Sequence, residues 1–257
     1  MEKRIKADLH NHFSTWESGW GDFDYVIDKI SRRFGEGVIG LANCEDQRYE
    51  NFVDSKQGKR KYERVEIGDD KNALWLPQKN LLIVKGQEVF TNQGHFLVLA
   101  TPKKHKVILK NLGEVVKEAN DIGVPAIAIH PYLHGTGQYL EQHQELIDKI
   151  DSIEIYNASL GLFGDGFNNL ARNLYFDNNF FSSGCCSFTD GHSARAIGTS
   201  YTQIPQLDIT SSETLRASLK EALRQTKTED YLVKNPAIRD AIAHAFELYV
   251  LRHLRKK

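Results

Sequence analysis

Short apolar runs recur along this chain, several of them separated by segments of helical character, and that alternation restricts the fold more than any other feature. Strands linked by crossover helices build a mostly parallel sheet, so the chain is expected to be an α/β protein and not an all-β one. The expected strands are 4–9 (RIKADL), 37–42 (GVIGLA), 81–86 (LLIVKG), 96–100 (FLVLA), 124–129 (VPAIAI), 152–156 (SIEIY) and 180–186 (FFSSGCC). Leu109, Leu112, Val116 and Ala119 fall on one face of a helix over 109–122, and Gly123 ends it. A second helix, 211–225, opens on Ser211, Ser212 and Glu213 and repeats Leu215, Leu219, Ala222 and Leu223. A last helix, 236–255, follows Pro236 and carries Ile238, Ile242, Phe246, Tyr249 and His253 at helical spacing. Its apolar stripe is expected to pack on the domain, with a homo-oligomer contact as the alternative.

No Pro/Gly/Ser-rich linker divides the 257 residues, so one domain is expected over 1–257, with its core in about 1–225. A content of 40% hydrophobic and 26% charged residues is that of a globular chain. With 33 basic and 34 acidic residues the formal net charge is -1, which provides no global field to attract a polyanion. Extended nucleic acid is therefore not favoured as a partner. The opening MEKRIKADLHNH holds no apolar stretch of signal-peptide length, and no apolar run approaches the roughly 20 residues that cross a bilayer. The chain reads as soluble and cytoplasmic, with no membrane partner. Three cysteines, Cys44, Cys185 and Cys186, show no CxxC spacing and suggest neither a disulfide framework nor a zinc ribbon.

The residues able to bind metal fall at the ends of the apolar runs. His10 and His12 end the first, Glu88 the third and His130 the fifth, while Asp190 and His192 follow the last. In a barrel of parallel strands those ends converge on one face, where the loops build the active site. A period of two would aim both imidazoles of His10-Asn11-His12 the same way, and likewise Asp190 and His192. Imidazoles with carboxylates suit zinc, manganese or iron. Each element alone is a weak signal; their shared placement makes a common site far better than coincidence.

ADLHNHFSTWESG resembles the opening motif of the PHP (polymerase and histidinol phosphatase) superfamily, in which an HxH is followed five residues later by another ligand, here Glu17. KGQEV, GHFLVL, AIHPY and SFTDGHS resemble that family's later segments in the expected order and give Glu88, His95, His130, Asp190 and His192. The resemblance spans residues 5 to about 225. It implies a distorted (β/α)7 barrel, PHP-like, with C-terminal helices, holding two or three divalent metal ions. His10, His12, Glu88 and Asp190 would hold one metal, Glu88, His95 and His130 a second, with Glu88 bridging, and Glu17 and His192 would belong to a third position.

One departure bears on that third position. Relatives supply a His after the second strand, whereas this chain reads Ala42-Asn43-Cys44-Glu45-Asp46, so Cys44, Glu45 or Asp46 stands in its place.

What the resemblance implies chemically is phosphoester hydrolysis of a small phosphorylated substrate, by a metal-bound water acting with Glu88 and Asp190. Exonuclease-like action on nucleic-acid ends and a non-catalytic binding module are the alternatives. Arg195 and Arg48 are candidate phosphate clamps, because a guanidinium matches two phosphate oxygens. Glu154 and Asn157 are candidates for orienting the ligands from behind. His105 and His134 are expected to face solvent. The charged stretch 45–80, which includes GKRKYER, is either a substrate cap or a solvated loop.

Overall fold

The computed structural model describes residues 3–13, 23–44, 46–55, 61–102, 106–162, 164–177 and 182–233. Among these, the strands are β1 (Arg4–Asp8), β2 (Gly37–Asn43), β3 (Val65–Glu66), β4 (Ala73–Leu76), β5 (Leu81–Thr91), β6 (Gly94–Leu99), β7 (Ala126–Ala128), β8 (Ser152–Asn157), β9 (Gly184–Phe188), β10 (Ser200–Pro205) and β11 (Tyr231–Val233), of which β3, β4, β10 and β11 are not among the expected ones. They join in one sheet of order β11-β10-β1-β2-β5-β6-β7-β8-β9, with β4 on β5 and β3 on β4. The helices are α1 (Phe23–Arg33), α2 (Arg48–Val53), α3 (Leu112–Asp121), α4 (Thr136–Gln142), α5 (Ala158–Gly161), α6 (Gly166–Asp177) and α7 (Ser212–Arg224).

The sheet curls until its first and last parallel strands meet. Beyond the end of β1, Asn11 bridges Gly191 in parallel. His12 N donates to Gly191 O at 2.7 Å, and Asp190 N to His10 O at 2.8 Å. The result is a nearly closed, distorted barrel of the PHP-like kind that the sequence implies. Alternate positions along the strands point inward: Ala7 and Leu9, Val38 and Ala42, Leu82 and Val84, Leu97 and Leu99, Ile127 and Ile129, Cys186 and Phe188 pack as one cluster. Leu215, Leu219 and Leu223 of α7 join it. The opposite phase faces the outer helices, with Ile39, Leu41 and Ile83 packed with apolar residues of α1 and α2, and Val98, Ala126, Ala128, Ile153 and Ile155 packed with those of α3 and α4.

Several expectations change in detail. The sheet is less parallel than the pattern suggests, because β6 runs antiparallel to both β5 and β7. Only Asn92 and Gln93 separate β5 from β6, too few for a crossover, so a hairpin forms, with Gly94 at φ +120° where a side chain would be strained. That hairpin lengthens the third strand to Thr91 and places Glu88 inside it, not at its end. The stretch 45–80 is not all loop: α2, β3 and β4 lie within it, and β4 pairs with β5 over Leu81–Val84. The α3 helix begins at Leu112, three residues later than the apolar spacing suggests, because the Asn111 side chain accepts from Glu114 N and caps it. Helix 236–255 lies outside the described residues, as do 180–181 of the seventh expected strand. No helix among the described residues is long and apolar enough to cross a membrane.

Candidate metal centre

At the mouth of the barrel the inward phase changes from apolar to ligating. Leu82, Val84, Gly86 and Glu88 share one side of β5, so the carboxylate stands directly above the apolar plug. His95 likewise continues the inward phase of Leu97 and Leu99. His130 follows the inward Ile129, and a continuing strand would turn its ring outward. Instead its φ is +26°, a left-handed setting that aims the ring back at Glu88, with Nε2 3.2 Å from Oε1. Asp190 is also left-handed, at φ +54°. Such backbone settings cost on the order of 1–3 kcal/mol each and gather at functional sites.

Glu88 organises the cluster. Its Oε1 meets His95 Nδ1 at 2.7 Å and His130 Nε2 at 3.2 Å, while its Oε2 meets His12 Nε2 at 3.1 Å and Cys44 Sγ at 3.7 Å. Asp190 Oδ1 lies 3.6 Å from both His10 Nε2 and His12 Nε2. Three overlapping groups result, each with ligand atoms within 4.8 Å of one another: His10, Glu88 and His130; His10, His12 and Asp190; and His12, Cys44 and Glu88. His192 stands at the rim, its ring 5.0 Å from that of His12 and its Nδ1 3.9 Å from Asp190 Oδ1.

The charges are mutually arranged. Burial opposes the ionised form of Glu88, but the imidazoles of His12, His130 and His95 beside it hold its carboxyl well below the usual range. Burial also opposes protonation of His130, yet the bond and charge of Glu88 push it up to about 9. Burial is likewise outweighed at His12, which Cys44 and Glu88 raise, and at Asp190, which the imidazoles of His10, His192, His12 and His130 lower.

The donors fit divalent cations. His10 Nε2, His12 Nε2 and His130 Nδ1 are buried with no hydrogen bond of acceptable geometry, and each such orphan costs about 1–3 kcal/mol unless something accepts its lone pair or proton. Three of them in rings that border one another, beside two carboxylates, describe a multi-metal site of mixed imidazole and carboxylate character.

A supporting layer lies behind the ligands. Glu154, fully buried on β8, meets His10 Nδ1 at 3.3 Å and accepts from His130 N at 2.6 Å. Asn157 donates to Glu154 Oε2 and Asp190 Oδ2, both at 3.2 Å. Replacing Glu154 with Gln should weaken metal affinity by about 10–100-fold without unfolding the barrel, as losses behind a ligand typically do. A chelator competition titration measures this, and an unchanged affinity would remove the orienting role. Asp8 escapes notice in the sequence although an acidic residue inside RIKADL is the signal for it. It accepts from Thr189 N at 3.0 Å and Gly198 N at 2.8 Å, tying β1 to the segments around β9 and β10. Burial pushes its carboxyl up to about 6.

The remaining sequence candidates are dispersed. Cys44 is the member of its trio that faces the cluster; Asp46 accepts from Arg48 at 2.9 and 3.1 Å, and Glu45 and Glu17 lie outside the described residues. The Arg48 guanidinium is buried, donating to Asp46 and to the His12 carbonyl. Arg195 is exposed. His134 is exposed but stacks on His95 with ring centroids 3.9 Å apart. His105 lies outside the described residues. In the described part of GKRKYER, Lys61 pairs with Asp28 at 2.8 Å, and Arg64 lies 3.6 Å over the Phe23 ring, so these charges brace α1.

No family model and no curated protein matches the sequence. Among solved structures, the fold is similar to PsfC from Pseudomonas syringae PB-5123, with a TM-score of 0.61 and 13% identity over 98% of this chain and 99% of that one. It is also similar to the lesion-specific endonuclease PfuEndoQ from Pyrococcus furiosus, with a TM-score of 0.56 and 14% identity over 86% of this chain and 56% of that one. A third is Endonuclease Q in complex with a 27-mer duplex substrate with an abasic lesion at the active site, at a TM-score of 0.54 and 11% identity over 86% of this chain and 57% of that one. At these identities the likeness establishes the fold. The third match overturns the expectation that extended nucleic acid is disfavoured, since a protein containing this barrel takes a duplex at its active site. The expectation failed because a net charge of -1 is summed over the whole chain and says nothing of cations placed locally, on which strand binding depends.

Proposed function

We propose that this chain, a single PHP-like barrel over residues 1–257, is a metal-dependent hydrolase of phosphate esters, and that phosphodiesters of nucleic acid suit it better than small monoesters. The observation that carries the reading is the division of labour at Glu88, whose two oxygens face two different ligand sets, His95 with His130 and His12 with Cys44. A carboxylate so placed is suited to bridging two cations. The nuclease preference rests on the likeness to the two endonuclease structures.

His10, His12 and Asp190 would hold one cation, Glu88, His95 and His130 another, and Cys44 with His12, Glu17 and His192 would bear on a third. Divalent ions held there would supply an activated water at neutral pH and would neutralise charge on the phosphoryl oxygens. Zinc or iron suits this set better than magnesium, because imidazole and thiolate are softer donors than oxygen. Glu154 and Asn157 fix ring and carboxylate orientation, so the ligands need not reorganise when charge develops. Asp190 Oδ1 faces three imidazoles and would balance the positive charge gathered there. Arg195, exposed and three residues beyond His192, would meet a phosphate, while Arg48 would position His12 through its carbonyl. We place the protein in the cytoplasm, in keeping with its three free cysteines.

Purified protein is expected to carry zinc, iron or manganese at about two or more equivalents, and to hydrolyse bis-p-nitrophenyl phosphate faster than p-nitrophenyl phosphate. Elemental analysis and the two rates decide. Full turnover after exhaustive chelation, or metal-replete protein inert on both esters and on an oligonucleotide, would sink the hydrolytic reading.

A further inference from the structure

Beside the metal cluster lies a small cavity of about 140 Å³, open to solvent, whose lining includes Glu88 and Cys44. Phe90, Lys106, Ile108 and Lys110 also line it. Exposure alternates along this wall: Lys106, Ile108 and Lys110 are exposed, whereas Val107 is buried and Leu109 half-buried. Ile108, 71% exposed, stands between the two lysines and presents an apolar surface beside their charges.

The wall is held in place. Gln87, the neighbour of Glu88, grips the Val107 backbone with both ends of its amide, donating to the carbonyl at 2.6 Å and accepting from N–H at 2.9 Å. Asn92 N, at the β5–β6 turn, donates to Lys110 O at 2.8 Å. Phe90 in turn packs its ring on His95 at 4.5 Å. The strand that carries Glu88 therefore also fixes the backbone that bears the two lysines and the apolar surface between them.

We propose that the 106–110 wall is the binding surface for a single nucleic-acid strand, its phosphates on Lys106 and Lys110 and a base against Ile108 and Phe90. This rests on the hydrolytic reading for its purpose, though not for its test. Cations that follow a backbone combined with an apolar or aromatic platform are what sequence-tolerant strand binding requires. A lone small phosphate would need the cations and not the platform.

The test is fluorescence anisotropy with a labelled oligothymidylate. Lys106→Glu/Lys110→Glu should weaken binding at least about tenfold and flatten the log–log salt dependence by about 1.4, since each phosphate neutralised on a single strand adds roughly 0.7 to that slope. Lys106→Gln/Lys110→Gln gives the same reading without charge reversal, should the reversal disturb folding. Ile108→Ser should weaken the oligothymidylate while inorganic tripolyphosphate, measured as a competitor, binds as before. No strand binding by the unaltered protein, or lysine variants that bind with unchanged affinity and salt slope, would overturn the proposal. An Ile108→Ser variant that loses neither ligand would overturn the base platform and leave an anion site. Turnover of bis-p-nitrophenyl phosphate reports separately on the hydrolytic reading, so loss of one does not imitate loss of the other.

Discussion

Replacing His12 or Asp190 with alanine is expected to strip metal from the protein and reduce turnover by at least about 10²–10³, the scale on which single groups that stabilise transition-state charge are felt. The two residues should behave alike because they address the same space. His12 Nε2 lies 3.1 Å from Glu88 and 3.6 Å from Asp190, so its loss opens both ligand sets at once. Asp190 faces three imidazoles, and its loss removes the charge that balances them. Neither side chain belongs to the apolar clusters that hold the barrel together, so near-native circular dichroism should accompany the loss. Metal content by elemental analysis and turnover of bis-p-nitrophenyl phosphate are the measurements. A variant with a full complement of metal and an undiminished rate would refute the assignment of these ligands.

Gly40→Ala should destabilise the fold by roughly 3 kcal/mol or more, at or beyond the upper end of ordinary overpacking. A Cβ built there meets Leu9 O at 1.9 Å and Leu9 Cα at 2.7 Å. Both are backbone atoms of the segment that continues β1, so no side-chain rotation relieves the contact. Leu9 immediately precedes His10, and displacing it would shift both imidazoles of the HxH pair. Metal affinity should therefore fall together with the midpoint of urea unfolding. Gly166→Ala provides the contrast: nothing lies within 4 Å of its Cβ and it begins α6, so a change of about 0.4–1 kcal/mol in the stabilising direction is expected. Equal effects at the two positions would mean that steric closeness to β1 is not what matters at Gly40.

The candidate ligands that the fold brings together were legible in the sequence because polar residues at the borders of apolar runs are conspicuous, as His10, His12, Glu88, His130 and Asp190 are. The strands β1, β2 and β8 were legible too, β2 as an apolar run and β1 and β8 by apolar residues at alternate positions. What was hidden depends on tertiary partners. ALWL at 73–76 is too short and too crowded by charge to stand out, and it becomes a strand only because β5 offers it an edge. The wall at 106–110 has no helical or strand period to find; it is positioned by Gln87, more than fifteen residues away. Cys44 could not be told from Asp46 by local order; it is the fold that turns Cys44 toward His12 and Glu88 and pairs Asp46 with Arg48.

The seam at Asn11 and Gly191 has a temporal consequence. The two halves of the site come from opposite ends of a long contour, with Asp190 and His10 joined across 180 positions. During synthesis, therefore, the ions have no complete binding place until translation has passed His192. Capture of the cations should then act as the last latch of folding, drawing the assembled form forward by mass action and leaving unfinished chains without the chemistry.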